Sequence, residues 1–251
     1  MYQEYKPNIF LSQFIETYWT AYGYVEGTEM SKIFPDGCVD IIFTFGDKPT
    51  REGLKPFCPY VVGTITSFIE VEYTGKVQMF GIRFSPVGIT AFTRIPINEF
   101  TNRQVDVNLL ETLFDKQFHN ILPEKHTLKD KIQYIDNYLL SKLHLAFDID
   151  KLIVYSVSLI KSTHGLLSPS KVAEEICLCQ RHFERKFKLA VGISPKTFSK
   201  IIRFKYALHH LKTNRNLGLD TLAINCGYYD YAHLIKDFKY FTGESPSNFR
   251  G

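Results

Sequence analysis

Two stretches near the C-terminus, His182–Phe198 (HFERKFKLAVGISPKTF) and His233–Phe249 (HLIKDFKYFTGESPSNF), repeat one pattern 51 residues apart. Both close with Gly-x-Ser-Pro-x-x-Phe, an ending that chance rarely produces twice. The copies are identical at His182/His233, Phe187/Phe238, Lys188/Lys239, Gly192/Gly243, Ser194/Ser245, Pro195/Pro246 and Phe198/Phe249. Such a repeat indicates one supersecondary unit used twice. Two units in one chain suit a periodic ligand such as a duplex.

The first copy has the pattern of a helix, a turn and a second helix. Ser168-Pro169-Ser170 supplies a capping hydroxyl and a first-turn proline for a short helix through Val172, Ala173 and Ile176. The turn is predicted at Cys177–Cys179, and the second helix is predicted to start near Gln180. At 100° per residue, that helix has an apolar stripe and an opposite basic side. The stripe contains Phe183, Phe187 and Ala190, and the basic side contains Arg181, Arg185 and Lys188.

The second copy follows the same logic. Leu222 and Ala223 belong to its first helix, Gly227 permits the turn, and Asp230 is a good N-cap for the next helix. The predicted inward residues are Leu234, Phe238 and Phe241, and the outward residues are Ala232, Ile235, Lys236 and Lys239.

Between the copies, residues 196–212 are predicted to form a helix about 26 Å long. Neighbouring major-groove faces on one side of B-DNA lie about 34 Å apart. A helix of this length, with one unit packed at each end, could present both outer helices to adjacent grooves.

The outer helices carry side chains suited to reading DNA. An arginine fork can bond guanine O6 and N7, whereas lysines mainly contact phosphates. Arg181 and Arg185 are therefore candidate base readers, and Glu184 could accept from cytosine N4 or orient an arginine. Ala232 and Ile235 could pack on thymine methyl groups. The alternative is that both helices are ordinary amphipathic helices with solvated basic faces.

Charge is distributed unevenly along the chain. Residues 168–251 contain 14 Lys and Arg against 7 Asp and Glu, a net charge of +7, whereas residues 1–167 contain 16 against 19, a net charge of −3. A basic excess confined to the repeated segment favours a nucleic-acid partner.

Residues from about Ser168 to Arg250 resemble the DNA-binding domain of the AraC/XylS family of bacterial transcription regulators. The resemblance rests on VAEEICLCQRHFERKF, GISPKTF, a linking helix with Arg203 and Ala207, and LAINCGYYDYAHLIKDFKYFTGESPSNFR. It implies that the second helix of each unit is a recognition helix and that the protein activates transcription and contacts RNA polymerase. It also implies base contacts from Arg181, Glu184 and Arg185 in the first unit and from Tyr231, Ala232 and Lys236 in the second. The full set of candidate DNA contacts is Gln180, Arg181, Glu184, Arg185, Lys188, Tyr231, Ala232, His233, Ile235, Lys236 and Lys239.

Two cysteines depart from the family pattern in the first unit. Cys177 stands where the family usually has glycine, and Cys179 stands where it usually has a capping serine or threonine. The weaker cap is expected to cost about 1 kcal/mol. Two thiols without nearby partners indicate structural cysteines rather than half of a metal site.

Residues 17–85 alternate short β-like runs with turns, in the segments TYWTAYGYV, CVDIIFTFG, PYVVGTIT and KVQMFGIRFSP. They predict a mainly antiparallel sheet or barrel crossed by a short helix at PVGITAFTRI. The motifs PDGCVDIIF, VVGT and GIRFSPVG resemble a small sensor type found in some family members, which implies a small-molecule effector. Asp36, Asp40 and Arg83 are speculative ligand contacts, against the alternative of a turn aspartate, a surface carboxylate and a structural ion pair. Five aromatic residues are predicted to be core rather than a binding cage: Trp19, Tyr22, Tyr24, Phe43 and Phe45.

From about residue 107 to 165 the apolar spacing becomes helical. The stripes contain Leu109, Leu110, Leu113 and Phe114, then Ile132, Ile135, Leu139, Leu140 and Leu143, then Leu152, Ile153, Val157 and Ile160. This segment could form a homodimer surface, a relay, or a helical cap on either domain.

Composition and residue types argue against several other classes. A metal-dependent cupin needs several barrel histidines, yet the first histidine is His119. A DNA-repair alkyltransferase needs clustered cysteines, which Cys38 and Cys58 do not provide. A small-molecule enzyme is also poorly supported, because residues 1–106 show no nucleophile paired with a base. Without an apolar span or a leader pattern we expect a cytoplasmic protein with no membrane contact, no cofactor and no metal. A nucleoid binder without sequence preference stays an alternative.

The sequence thus predicts an α+β protein without enzymatic activity that regulates transcription by binding specific DNA sequences. We expect an N-terminal β-rich sensor domain over residues 1–106 and a helical connector over residues 107–166. Residues 167–251 are expected to form an all-α domain in which a long helix joins two helix-turn-helix units.

Overall fold

A computed structural model of the protein describes residues 1–46, 59–107, 110, 113–214 and 218–250. The sequence predictions for Cys58 and Leu109 lie outside the described residues. The chain forms two compact units, each assembled from separate segments. The first unit comprises Met1–Ser31, Cys38–Gly63 and Val71–Ile149, and the second comprises Lys32–Gly37, Thr64–Glu70 and Asp150–Gly251.

The N-terminal part contains the antiparallel sheet that the alternating sequence pattern predicts. Its strands are β1 (Tyr2–Tyr5), β2 (Ile15–Ile33), β3 (Val39–Thr44), β4 (Tyr60–Val62), β5 (Ile69–Phe84) and β6 (Gln104–Asp106). The spatial order of the strands is β1-β2-β5-β3-β4-β6, with β1 and β6 at the two edges. Within the described residues the strands therefore form an open sheet. The register of β3 on β5 pairs Val39 with Phe84 and Phe43 with Phe80.

The sheet buries side chains on both faces over β3 and β5. Val39, Ile41 and Phe43 alternate along β3 into the main core of the first unit, as expected for residues spaced by two. Ile42 belongs to a smaller cluster with Trp19, Tyr60 and Met79.

Two predicted core aromatics are on the surface. Tyr22 and Tyr24 are 45% and 74% exposed, which corrects their assignment to the core. Both lie in β2, where no residue beyond Thr20 is buried, so aromatic character does not indicate burial there. Trp19 and Phe43 are buried as predicted, and Phe45 packs partly buried against the main core.

Short helices follow the sheet. The predicted PVGITAFTRI helix is a 3₁₀ turn at Gly88–Ala91. Helices α1 (Lys116–Glu124) and α2 (Leu128–Lys142) complete the main core through Phe118, Leu122, Ile135 and Leu139. Helix was also expected at Leu110, Leu113 and Phe114. These residues are buried but precede α1, because Asp115 caps that helix by accepting from the Phe118 N–H at 2.8 Å.

The second unit is helical apart from its two N-terminal segments. A 3₁₀ turn at Pro246–Phe249 ends it. Its helices are α3 (Lys151–Ser162), α4 (Pro169–Glu175), α5 (Gln180–Val191), α6 (Pro195–Thr213), α7 (Leu219–Asn225) and α8 (Tyr231–Thr242). Residues 107–166, predicted as a connector, are divided between the units, since α3 belongs to the second and α1 and α2 to the first.

Helices in the described ranges fall short of the length and apolar character that a bilayer crossing requires.

Candidate nucleic-acid interface

Helices α4 and α5 form the first helix-turn-helix unit. Ser168 caps α4 by accepting from the Lys171 N–H at 3.3 Å, and a proline occupies its first position. The four residues 176–179 make the turn to α5. Phe183 and Phe187 are fully buried, and the Phe187 ring meets Phe198 of α6 edge to face at 5.5 Å. The inner stripe of α5 therefore fixes this helix against α6.

The outer side of α5 is cationic and open to solvent. Arg181, Arg185 and Lys188 are exposed, and their spacing of four and three residues places them on one face. Glu184 is half-buried and accepts from Gln180 Nε2 at 2.8 Å, so it bonds to glutamine rather than orienting an arginine. We call Arg181, Arg185 and Lys188 the basic stripe.

Lys186 shows the contrasting behaviour of a basic residue beside the stripe. Its Nζ lies 2.6 Å from Asp150 Oδ2, and both side chains are about two-thirds buried. This lysine therefore belongs to the scaffold that joins α5 to the start of α3.

Helices α7 and α8 form the second unit. Asp230 caps α8 by accepting from the His233 N–H at 2.7 Å. Leu234, Phe238 and Phe241 are buried as predicted, and the two phenylalanine rings lie 5.1 and 5.0 Å from Phe204 of α6.

The outer side of α8 is less charged. Tyr231, Ala232, Lys236 and Lys239 are exposed, whereas Ile235 is half-buried. His233 is also half-buried and packs against the Tyr228 ring at 5.2 Å, with its Nε2 4.0 Å from Asp237 Oδ2. His233 is thus held partly by the scaffold.

The repeated Gly-x-Ser-Pro motif ends each outer helix in the same way. Gly192 and Gly243 are the C-caps of α5 and α8, with φ of +93° and +75°, a region in which glycine is strongly favoured. Ser194 then caps α6 by accepting from the Thr197 N–H at 3.1 Å. The identities between the copies therefore reflect a helix stop followed by a new start.

The two units pack on neighbouring parts of α6. The first meets Phe198 and the second meets Phe204, which lie about 9 Å apart along the helix axis. This corrects the expectation that the units occupy opposite ends of the linking helix. The length of α6 alone therefore does not set the spacing of the outer helices.

An ion pair between a buried aspartate and a partly exposed lysine fixes α8 on α6, and sequence analysis did not single it out. Asp237, with a side chain 3% exposed, accepts from Lys200 Nζ at 3.1 Å. Arg203 Nη1 donates to the Gly227 carbonyl at 3.3 Å, and its guanidinium lies 5.4 Å from the Tyr228 ring centroid. The position of Asp237 among the inward apolar residues of α8 was the sequence signal that could have indicated this ion pair.

Two segments from the N-terminal third complete the second unit, and we call Lys32–Gly37 and Thr64–Glu70 the bracing segments. Phe34 contacts Phe204 at 6.3 Å and Phe249 at 5.8 Å, both edge to face. A Cβ on Gly37 would lie 2.5 Å from the Phe198 ring, so the backbone passes close to α6.

The bracing segments also reach the C-terminal ends of both outer helices. Thr64 Oγ1 donates to the Val191 carbonyl at 2.8 Å, and a Cβ on Gly243 would meet Phe68 at 2.9 Å. Lys32 Nζ lies 2.6 Å from Glu244 Oε1. Hydrogen bonds from Lys32 and Asn248 lower the pKa of the Glu244 carboxyl.

Two of the three speculative ligand contacts form an ion pair with each other. Arg83 Nε and Nη2 donate to the two Asp40 carboxylate oxygens, each at 3.1 Å, across paired positions of β5 and β3. Glu4 Oε1 lies 3.8 Å from Arg83 Nη1. This geometry matches the structural ion pair weighed against ligand binding. Asp36 belongs to the other compact unit.

The cysteines in the described ranges form no disulfide with one another, and Cys177 and Cys179 are exposed whereas Cys38 and Cys226 are buried. Burial raises the pKa of Cys226 to about 11. In the described ranges, His, Cys, Asp and Glu side chains do not assemble into a group of three that could hold a metal ion.

Comparison with known families identifies two matched segments. Residues 172–251 match a family described as a helix-turn-helix domain, and residues 3–106 match a domain of unknown function. The arabinose operon regulatory protein of Salmonella typhimurium is 28% identical over 149 residues, which cover 57% of this chain and 44% of that protein. Its Escherichia coli counterpart is 27% identical over 149 residues, which cover 57% and 43%. The matched stretch thus spans less than half of these relatives.

Solved structures show more distant similarity. The C-terminal domain of AraT, a response regulator from Geobacillus stearothermophilus, is 23% identical with a TM-score of 0.38, covering 40% of this chain and 84% of that chain. ToxT from Vibrio cholerae strain SCE256 with bound unsaturated fatty acid is 12% identical with a TM-score of 0.48, covering 98% and 96%.

Proposed function

We propose, from the premise that residues 172–251 form a helix-turn-helix domain of the AraC type, that this protein binds specific DNA sequences and regulates transcription. One observation carries the proposal. The basic stripe of α5 is exposed while the opposite side of the same helix is buried against α6. A helix that is packed on one side and carries exposed arginines on the other suits insertion into a major groove.

In the proposed complex, α5 and α8 enter two adjacent segments of the major groove. Arg181 and Arg185 each offer a guanidinium fork to guanine, and Lys188 contacts phosphate. In α8, Ala232 and Ile235 approach thymine methyl groups, Tyr231 and Lys236 approach base edges, and Lys239 contacts phosphate. Gln180 and Glu184 act as a hydrogen-bonded pair at the start of α5, and His233 stays at the margin of the contact.

The N-terminal unit is proposed to regulate this binding. A small-molecule effector can shift DNA affinity only by binding two arrangements of the protein differently. We further propose that the bound protein activates transcription through RNA polymerase, and that helices within residues 107–166 support a homodimer.

A nucleoid-type binder without sequence preference is the alternative. Lysines that contact only phosphates would suffice for that role, whereas exposed arginines at positions 181 and 185 offer base-specific hydrogen bonds. The stripe therefore favours specific recognition.

Selection of bound sequences from a random DNA pool with the full chain tests the proposal. We expect a consensus with two half-segments, followed by at least a 10³-fold preference for that site over a scrambled duplex in anisotropy titrations. Equal affinity for the selected and scrambled duplexes would establish the nonspecific alternative.

A further inference from the structure

The first compact unit contains a cavity of about 250 Å³ whose lining does not include Asp40 or Arg83. Strands β1, β2 and β5 contribute one part of its lining, and the first turn of α2 contributes another. An apolar cavity of about 150 Å³ accommodates benzene, and drug-sized ligands occupy about 300 Å³ or more. The volume therefore suits a single ring with a short substituent.

The apolar part of the lining is rich in aromatic side chains. Tyr5, Phe45 and Phe80 line the cavity together with Met79 and Leu128. Aromatic rings favour edge-to-face and offset contacts with another ring. This composition suits a flat aromatic group better than a flexible polar molecule.

Lys131 supplies a positive charge to the same cavity. Its Nζ lies 5.1 Å from the Phe45 ring centroid and donates to the Lys125 carbonyl. Within the described ranges the ammonium has no carboxylate partner in an ion pair. Burial lowers the pKa of Lys131, and the nearby Asp130 carboxylate opposes this shift only in part. The start of α2 adds positive potential, since helix N-termini favour anions.

Thr20 supplies an unused hydroxyl. Its side chain lines the cavity and the residue is 6% exposed, yet Oγ1 has no hydrogen-bond partner among the described residues. Buried hydroxyls are nearly always paired in folded proteins. A buried polar atom at the wall of a cavity is satisfied when a ligand provides the missing partner.

We propose that this cavity binds a small aromatic carboxylate, with the ring among Tyr5, Phe45 and Phe80 and the carboxylate on Lys131 and Thr20. One ammonium and one hydroxyl match the two oxygens of a carboxylate, whereas a phosphate dianion needs more donors. The cavity deepens the proposed function by naming an effector class, and its role as an effector site rests on that function. Binding itself does not depend on DNA.

Calorimetric titration of the full chain with benzoate, phenylacetate and 3-phenylpropanoate tests the site. We expect saturable binding of at least one of the three at one molecule per chain. The corresponding amide, which has the same shape without the charge, should bind at least tenfold more weakly. Absence of binding by all three acids, or equal binding of acid and amide, would overturn the proposal.

Variants locate the binding. Lys131→Met should weaken it at least tenfold, and Thr20→Val severalfold, while Thr20→Ser should retain it. Lys129→Met removes the same charge from an exposed position of α2 outside the cavity lining and should leave affinity unchanged. Thermal unfolding of each variant checks that it is folded. If Lys131→Met does not fold, the comparison of Thr20→Ser with Thr20→Val still tests the site. Equal losses for Lys129→Met and Lys131→Met would contradict the site.

DNA titration with and without the bound acid separates this site from the proposed function. Specific DNA binding together with no acid binding removes the site and leaves the regulator. Acid binding together with no sequence preference for DNA leaves the site and removes the regulator.

Discussion

The two helix-turn-helix units differ in which helix has a side-chain N-cap. In the first unit, Ser168 caps the scaffold helix α4, whereas Cys179 at the start of α5 makes no side-chain cap hydrogen bond. In the second unit, Asp230 caps the outer helix α8, whereas Gly218 at the start of α7 makes no side-chain cap hydrogen bond. The turns differ as well, with four residues between α4 and α5 and five between α7 and α8. Each unit thus has one side-chain cap, but on opposite members of the pair. The two units therefore share the order of their helices but differ in which helix a side-chain cap stabilises.

The outer helices differ more in charge than in shape. Helix α5 has four basic residues and one acidic residue, a net charge of +3, whereas α8 has two basic residues and one acidic residue, a net charge of +1. The acidic residue of α8, Asp237, and one basic residue of α5, Lys186, form scaffold ion pairs. We therefore expect the first unit to supply most polar base contacts and the second mainly apolar ones.

Replacing an outer residue in each unit should show this difference in charge most clearly. Arg185→Ala should cost about 1 to 3 kcal/mol on the selected DNA site, because a bidentate contact is lost, and should relax preference at one base pair. Lys236→Ala should cost less, and Lys188→Ala should weaken all sequences alike. Anisotropy titrations against selected and scrambled duplexes measure these effects, with Lys129→Ala as a control. Equal losses for Arg185→Ala on both duplexes would contradict its base-reading role.

Each helix-turn-helix turn contains one residue with positive φ, and substitutions there compare the backbone strain of the two turns. Gly227 has φ of +70° and Cys177 has φ of +54°. Gly227→Ala should destabilise the protein by about 1 to 2 kcal/mol, the ordinary cost of that conformation for a residue with a Cβ. Its new Cβ would lie 2.1 Å from Leu166 Cδ2, but this side chain end is exposed and can move. Cys177→Ala should change little, because cysteine already bears that strain.

Urea unfolding of both turn variants gives the difference. An equal decrease in the free energy of unfolding for the two variants would show that the turns do not differ in backbone strain.

The caps offer the next comparison. Cys179→Ser provides a hydroxyl acceptor at the start of α5 and should stabilise the protein by about 1 kcal/mol, whereas Asp230→Ala should destabilise it by a similar amount. Serine adds no charge near the basic stripe, so DNA affinity should stay unchanged. Thermal and urea unfolding check the prediction, and a serine variant no more stable than the parent would argue against a missing cap.

The smallest expected effect concerns Lys32 and Glu244, which brace only the second unit. The Glu244 pKa is lowered in the folded protein by its hydrogen bonds to Lys32 and Asn248, so the stabilisation is present at neutral pH and is lost as pH falls through that pKa. Lys32→Met should therefore reduce the free energy of unfolding slightly at pH 7, and this deficit should disappear once pH falls below the lowered pKa of Glu244. Lys76→Met serves as a control at an exposed lysine. A deficit that persists at low pH would assign the effect to packing instead.

The parts of the fold that sequence predicted well are those with local signals. Periodic apolar residues and capping motifs placed the helix-turn-helix elements, and α5, predicted to start near Gln180, begins at that residue. Arg181 and Arg185 were expected on the outer side and are exposed there.

The remaining features depend on contacts between distant residues. Edge strand β1 is a short, mostly exposed run with no alternation of burial, so no pattern reveals it. Lys200 and Asp237 pair across two helices, and Thr20 and Lys131 meet one cavity from separate elements. Periodicity within a segment cannot indicate such partners, because each residue alone resembles an ordinary surface position.

The bracing segments make the second unit discontinuous along the chain. Phe34 and Thr64 are separated from the nearest helix of that unit by more than eighty residues, yet they contact the linking helix and the end of an outer helix. A cut before Ser168 would release a fragment with part of its apolar interior uncovered. Chimeras that join this second unit to the N-terminal part of another protein would therefore need to retain Lys32–Gly37 and Thr64–Glu70 from this chain, and recombination at a single junction would yield a destabilised helical unit.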